Sequence, residues 1–266
     1  MDDAPDTAPL VEYAFADGLA RITLADPDRG NALSPRLGAD LLDAVRRARR
    51  DRARVVLLAA RGTAFSVGGD VKGFAAAADR PALIEDLAEC LHRTVTDLQR
   101  SDAIVVSVVQ GVAAGAGVPL AAAADIVLAG ESAAFTLAYT KIGFSPDGGS
   151  TLLSSTVGLH RALHLALLNP LWSAAEAHAA GLVAKVYPDD ELAAGAEKVV
   201  AQLLAGSAAA QAAAKRLVRD AVPGSPETAM RRESLSISER AGSPDADEGL
   251  AAFVEKRRPD FPGAGR

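Results

Sequence analysis

The sequence predicts an α/β fold, and three observations carry that prediction. Two nearly continuous apolar runs, Val55-Val56-Leu57-Leu58-Ala59-Ala60 and residues 104–109, have the length and branching of strands buried on both faces. Each is followed by a stretch rich in small residues and then by helical periodicity. From about Ser207 onward the strand signals stop and only helical patterning remains. Strand–loop–helix alternation that ends in helices is the pattern of an α/β domain.

The elements follow in order. Residues 11–15 and 19–24 are short, partly alternating segments around Asp17-Gly18, a hairpin signal. The segment Asp26-Pro27-Asp28-Arg29-Gly30-Asn31-Ala32-Leu33 reads as a loop. Ser34-Pro35 then supplies an N-cap serine and a proline at the first helical position, and Leu37, Leu41, Val45 and Ala48 mark one helix face. After the strand at 55–60 comes a loop over 61–70, a helix over 82–98, the strand at 104–109, a glycine-rich turn at 110–117 and a helix of Leu120 and alanines. A strand at 125–129 and a helix around 173–180 capped by Gly181 complete the mixed part, before an extended segment at 182–186. We divide the chain into an extended or disordered N-terminus at 1–10, a core at 11–206 and a helical C-terminal region at 207–266.

With 266 residues the chain can bury a substantial core. A formal net charge of −6 argues against nucleic-acid binding, and the arginine cluster at 46–52 fits the solvated face of an amphipathic helix. Cys90 is the single cysteine, so no intrachain disulfide can form and a reducing, cytoplasmic setting is expected. The acidic start of the chain is unlike a signal peptide, and the longest apolar candidate, 104–128, is broken by Ser107, Gln110, glycines and Pro119, so no membrane span is expected.

Three places can carry chemistry. Gly68-Gly69 and Gly115-Ala116-Gly117 are turns where a ligand atom could approach unpaired backbone N–H groups. Facing each other they would form an oxyanion hole; taken singly, each is a tight strand–helix connection. Neither matches a phosphate or dinucleotide fingerprint. Asp147, in Ser145-Pro146-Asp147-Gly148-Gly149-Ser150, is either a helix cap or a proton-moving carboxylate. His92, His160, His164 and His178 have no metal-ligand spacing, so no metal site is expected, and they read as helix-surface or polar-contact residues. Glu89 and Glu131 read as solvated, and Phe135 and Trp172 as packing residues.

Several segments in order carry a family resemblance: Asp28-Arg29-Gly30-Asn31-Ala32-Leu33-Ser34, then Phe65-Ser66-Val67-Gly68-Gly69-Asp70-Val71-Lys72, then Gln110-Gly111-Val112-Ala113-Ala114-Gly115-Ala116-Gly117 with Ala124-Asp125-Ile126. Gly181-Leu182-Val183 and the C-terminal run from Glu248 to Phe261 continue it. From about Val11 to Gly263 the chain resembles the crotonase (enoyl-CoA hydratase/isomerase) superfamily. The resemblance implies a spiral of ββα repeats with a helical C-terminal trimerisation region, a homotrimer or dimer of trimers, and a coenzyme A thioester as substrate. It implies no further cofactor. It places the thioester oxygen on the backbone N–H groups of Gly69 and Ala116, coenzyme A near Arg29, Ala32 and Lys72, and the acyl chain near Phe74 and Tyr139.

The departures matter as much. Where hydratases resembling this chain carry their two glutamates, it has Pro119 and Tyr139. Proline cannot move a proton, and a phenol with a reference pKa near 10 is a poor base. In the branches resembling dienoyl-CoA isomerase and epoxyphenylacetyl-CoA isomerase, an aspartate in the loop of Asp147 is the base. The expectation is therefore an acyl-CoA isomerase with Asp147 as proton shuttle. The alternatives are a hydratase or ring-forming synthase with atypical acid/base residues, and a non-catalytic acyl-CoA-binding trimer.

Overall fold

Asp17 (φ 51°) and Gly18 (φ 82°) both lie in the left-handed region, as a two-residue hairpin loop requires. They join β1 (Val11–Ala16) to β2 (Leu19–Leu24) in antiparallel register, Val11 opposite Leu24 and Ala16 opposite Leu19. The computed structural model describes residues 9–222 and 224–261, so most of the N-terminal segment expected at 1–10, and Gly263, lie outside it. Ser34 caps α1 (Pro35–Arg50) by accepting the Leu37 N–H, with Pro35 at the first helical position.

The chain then repeats one unit. β3 (Val55–Ala60) is followed by the short β4 (Ala64–Ser66), then α2 (Val71–Ala76) and α3 (Arg80–Arg100). β5 (Ile104–Val109) is followed by β6 (Val112–Ala114) and α4 (Gly117–Ala122). β7 (Ile126–Gly130) is followed by β8 (Ala134–Thr136), a long loop, then α5 (Leu153–Val157) and α6 (Leu159–Leu168). β9 (Trp172–Ser173), α7 (Ala174–Ala179), β10 (Lys185–Tyr187) and α8 (Leu192–Ala205) close this part.

The long strands form a six-stranded sheet, β1-β2-β3-β5-β7-β10, parallel from β2 onward. The short ones stack as a second sheet, β4-β6-β8-β9, parallel except for the β8–β9 edge. These are the turns of a ββα spiral. The stretches 61–70 and 110–117, read as unbroken loops from sequence, each contain a strand of this second sheet. At three residues per strand the period-two signal is too short to register. Phe135 and Trp172 are register partners across β8–β9 and both are buried, as packing residues.

The apolar runs of β3 and β5 have a direct cause. One face of the main sheet packs on the principal core with α1 and α3, and the other is covered by Leu192, Ala196 and Val200 of α8. A strand buried on both faces has no polar face to alternate with.

Three further helices follow: α9 (Ala208–Asp220), α10 (Pro226–Ala241) and α11 (Pro244–Glu255). α9 is anchored by the buried Lys215, whose Nζ donates to the carbonyls of Leu98 (2.9 Å) and Ala103 (2.8 Å) and meets Asp125 at 2.9 Å. α10 lies along α3, and α11 packs on the loop after β8. There Gly249 is required: a β-carbon on it would lie 2.5 Å from the Ile142 carbonyl carbon. No helix among the described residues is long and apolar enough to cross a membrane.

Candidate active site

The site begins where the first two short strands end. Ser66, at the end of β4, donates its hydroxyl to the Asn31 carbonyl (2.8 Å) and accepts the Gly68 N–H (3.2 Å). Asn31, fully buried, donates to the carbonyls of Arg61 and Ala64, so the 28–34 segment braces this turn from below. The Gly68 carbonyl accepts the Leu33 N–H at 2.7 Å.

The second turn, after β6, lies directly against the first. A β-carbon on Gly68 (φ 89°) would sit 2.8 Å from the Ala114 carbonyl oxygen and 3.2 Å from Gly115 Cα. One on Gly117 would sit 2.7 Å from the Ser66 carbonyl oxygen. Glycine is what lets the two backbones touch. Among the described residues, neither the Gly69 N–H nor the Ala116 N–H has an intramolecular acceptor.

The loop after β8 occupies the corresponding place in the third repeat, and it is pinned to both turns. Phe74, whose ring fills the space beside Gly69 (2.6 Å from where a β-carbon would be), packs on Phe144 with ring centroids 6.4 Å apart. A β-carbon on Gly148 (φ 72°) would lie 3.1 Å from Ala116 Cβ and 3.5 Å from Pro119 Cγ. Asp147 stands between these two anchor points and is 5% exposed.

Its carboxylate does not cap the following helix. The backbone carbonyl of Asp147 accepts the Tyr139 hydroxyl (2.9 Å), the Ser150 hydroxyl (2.6 Å) and the Ser150 N–H (3.3 Å). Capping is done from a distance by Glu233 of α10, which accepts the N–H groups of Gly149 (2.7 Å) and Thr151 (2.8 Å) and the Thr151 hydroxyl. The carboxylate of Asp147 turns instead to His92 of α3, with Oδ1 2.8 Å from Nε2. That contact is short but poorly aligned for a hydrogen bond, and neither atom has a hydrogen-bond partner among the described residues. Glu233 Oε2 lies 3.7 Å from the same nitrogen.

The electrostatics follow from burial and proximity. Burial alone would lower the His92 pKa, but the two carboxylates outweigh it and hold the ring at about 9, an imidazolium at neutral pH. Burial raises the Asp147 pKa and Glu233 adds to this, while His92 opposes both. Burial, then the same two carboxylates, push the Tyr139 phenol well above its ordinary value, so it stays a donor. His92, Asp147 and Glu233 could each offer one ligand atom to a metal, all within 4.8 Å of one another. Both Glu233 oxygens already accept from the loop, and the cluster is an imidazolium between two carboxylates.

Of the residues singled out from sequence, Gly69, Ala116, Phe74, Tyr139 and Asp147 converge on this one place. Ala32 is buried beside the first turn, while Arg29 and Lys72 are exposed. Glu131 is exposed and Glu89 is half-buried, 2.9 Å from Arg231. Of the two expectations for His92, the polar contact holds and the helix surface does not: it is buried at the centre of the cluster. Glu233 was not anticipated at all. The signal was present: it is in phase with Met230, Ile237 and Ala241 on the buried face of its helix, a place where a carboxylate needs a partner.

The profile of the Enoyl-CoA hydratase/isomerase family matches residues 14–264. The chain belongs to this family. It is thus a member of the crotonase superfamily, as the repeated ββα spiral already indicated. Among crotonase relatives it is 36% identical over 255 residues to a probable enoyl-CoA hydratase of Rhodobacter capsulatus, covering 95% of this chain and 98% of that one. It is 34% identical over 252 residues to the 1,2-epoxyphenylacetyl-CoA isomerase of Escherichia coli, covering 92% and 95%. The crystal structure of an enoyl-CoA hydratase from Mycobacterium avium subsp. paratuberculosis superposes with a TM-score of 0.87 at 38% identity, covering 95% of this chain and 98% of that one.

Proposed function

We propose that this crotonase is an acyl-CoA isomerase in which Asp147 moves a proton along the acyl chain. The observation that carries the reading is the placement of one buried carboxylate, not used as a cap, in a loop pinned to both glycine turns. The thioester oxygen lies between the Gly69 and Ala116 N–H groups. Asp147 takes a proton from carbon, and the electron pair moves into the thioester carbonyl as an enolate oxyanion. The two N–H donors stabilise that charge; a comparable donor elsewhere is worth roughly 3–4 kcal/mol. The carboxylic acid then returns the proton to another carbon, and the double bond shifts. A ring-opening counterpart would use the same enolate to expel an epoxide oxygen. Relocating a proton leaves the substrate's oxidation state unchanged, so the reaction calls for no redox cofactor. Phe74 and Phe144 supply apolar wall for the acyl chain, while Tyr139 fixes the backbone of the base. Coenzyme A is assigned to the side of Arg29, Ala32 and Lys72.

The name of the Rhodobacter relative favours a second reading, hydration. Pro119 and Tyr139 speak against it, because neither can orient and split water. Two probes separate the readings: trans-3-hexenoyl-CoA gains conjugated-thioester absorbance on isomerisation, and crotonyl-CoA loses it on hydration. We expect the first and not the second. Asp147→Asn should lower isomerisation about 10²- to 10⁴-fold while acyl-CoA still binds. Full activity in that variant, or fast hydration by the wild type, would overturn the assignment. We further propose a homotrimer in a reducing cytoplasm, supported by the exposed leucines 159, 163, 167 and 168 of α6 and by the single cysteine.

A further inference from the structure

The proposed mechanism uses Asp147 and two backbone amides, and leaves two buried ionisable groups behind them with no role. His92 and Glu233 are among the few buried charged side chains of the molecule, and both converge on the same loop. We infer that they are positioning residues for Asp147: His92, as an imidazolium, keeps the buried carboxylate ionised and aimed, and Glu233 holds both the loop and the imidazolium in place.

The geometry assigns the division of work. Besides His92, the Asp147 carboxylate is favoured only by a neutral partner, the Gly148 backbone N–H, while Tyr139 is committed to the Asp147 backbone carbonyl. Among the described residues, His92 Nε2, at 2.8 Å, is the one cationic group in contact. Without it burial would push this carboxylate further toward its protonated form, which is not a base. Glu233 cannot replace Asp147, because its oxygens accept the Gly149 and Thr151 N–H groups and the Thr151 hydroxyl.

The other charges around His92 are occupied with one another. His92 lines a solvent-open cavity of about 310 Å³ between α1, α3 and α10. There Arg231 meets Glu89 at 2.9 Å, Arg93 meets Glu89 at 3.9 Å and Arg46 meets Asp97 at 3.8 Å, while Glu227 is paired with Arg100. The imidazolium is left facing Asp147 and Glu233. The cavity also reaches the His92 ring.

This inference rests on Asp147 being the base, and it is tested by the pH dependence of kcat/KM on trans-3-hexenoyl-CoA. In His92→Gln the acid limb should move up by about one pH unit or more, so activity near pH 6 falls about tenfold and recovers toward pH 8. In Glu233→Gln the limb should move the other way, since a negative neighbour of Asp147 is gone. A merely structural role would depress kcat at every pH in both variants and move neither limb. In His92→Ala, imidazole entering from the cavity should restore activity near pH 6. Independent of turnover, NMR titration of the imidazole protons should find one of the four histidines titrating near 9 in the wild type, and lower in Asp147→Asn and Glu233→Gln. Unmoved acid limbs in folded His92→Gln and Glu233→Gln would overturn the inference. If Asp147→Asn is dead at the same time, the proposed function survives; an active Asp147→Asn removes that function itself.

Discussion

The two halves of the site are built in opposite ways. The turns proposed as the oxyanion hole are backbone: Gly68, Gly69, Gly115 and Gly117 bring two chain segments into contact, and the groups offered are amides that every residue but proline carries. The half proposed to move the proton is side chain: His92 from α3, Asp147 from the third repeat's loop and Glu233 from α10, segments 55 and 86 residues apart in sequence. The first half is rigid because nothing but glycine fits between its strands. The second is rigid because three charges satisfy one another. A backbone site is broken by adding an atom, and a charge cluster by removing one.

The largest effect is expected where an atom is added. Gly68→Ala would place a methyl group 2.8 Å from the Ala114 carbonyl oxygen at a φ of 89°, so the two turns must separate. Isomerisation should fall about 10²- to 10³-fold, the loss seen when one oxyanion donor is removed, with the His92 titration unchanged. If kcat of a folded Gly68→Ala protein matches wild type, the amides are not a precisely set pair.

The charge cluster should instead be visible in stability against pH. The folded-state pKa of His92, about 9, stands above its ordinary 6.5, so the folded protein holds a proton that the unfolded chain releases. Its stabilising contribution is full below about pH 6.5 and is lost as pH rises through about 9. The two limits bound it at roughly 3 kcal/mol. Denaturant midpoints from pH 6 to 10 should decline in the wild type and flatten in His92→Asn; equal slopes would show that the histidine is not held charged.

A smaller effect is expected from a buried charge outside the site. Lys215→Met removes the donor to the Leu98 and Ala103 carbonyls and one of the cations on Asp125, which keeps Arg219 at 2.6 Å. Chemical denaturation should show a loss of about 1–3 kcal/mol, with the acid limb of kcat/KM in place. A shifted limb would mean that α9 reaches the cluster and that the two halves are not independent.

The same contrast explains what could be read from the chain. The long strands, the Asp17-Gly18 hairpin and the Ser34-Pro35 helix start are set by residues adjacent in sequence, and each was found within a residue or two of its place. So were the glycines that let the turns meet. Asp147 was found as a carboxylate in a glycine-rich loop, but its two candidate roles could not be separated, because the group that relieves it of capping lies 86 residues away. His92 sits in a helix beside buried Leu91 and Val95, where a histidine is ordinarily a packing residue with a polar contact. Glu233 carries no motif. Its only mark is its phase with Met230 and Ile237, and nothing nearby says which partner it meets.

The Glu233 cap has a consequence for how such a site can change. The loop from Gly149 to Thr151 takes its shape from α10 and not from the residue at 147. That position is therefore free of the obligation that normally fixes an aspartate before a helix. Exchange of its side chain would alter the chemistry on offer while the frame around it stays put, and a single codon separates one reactive group from another.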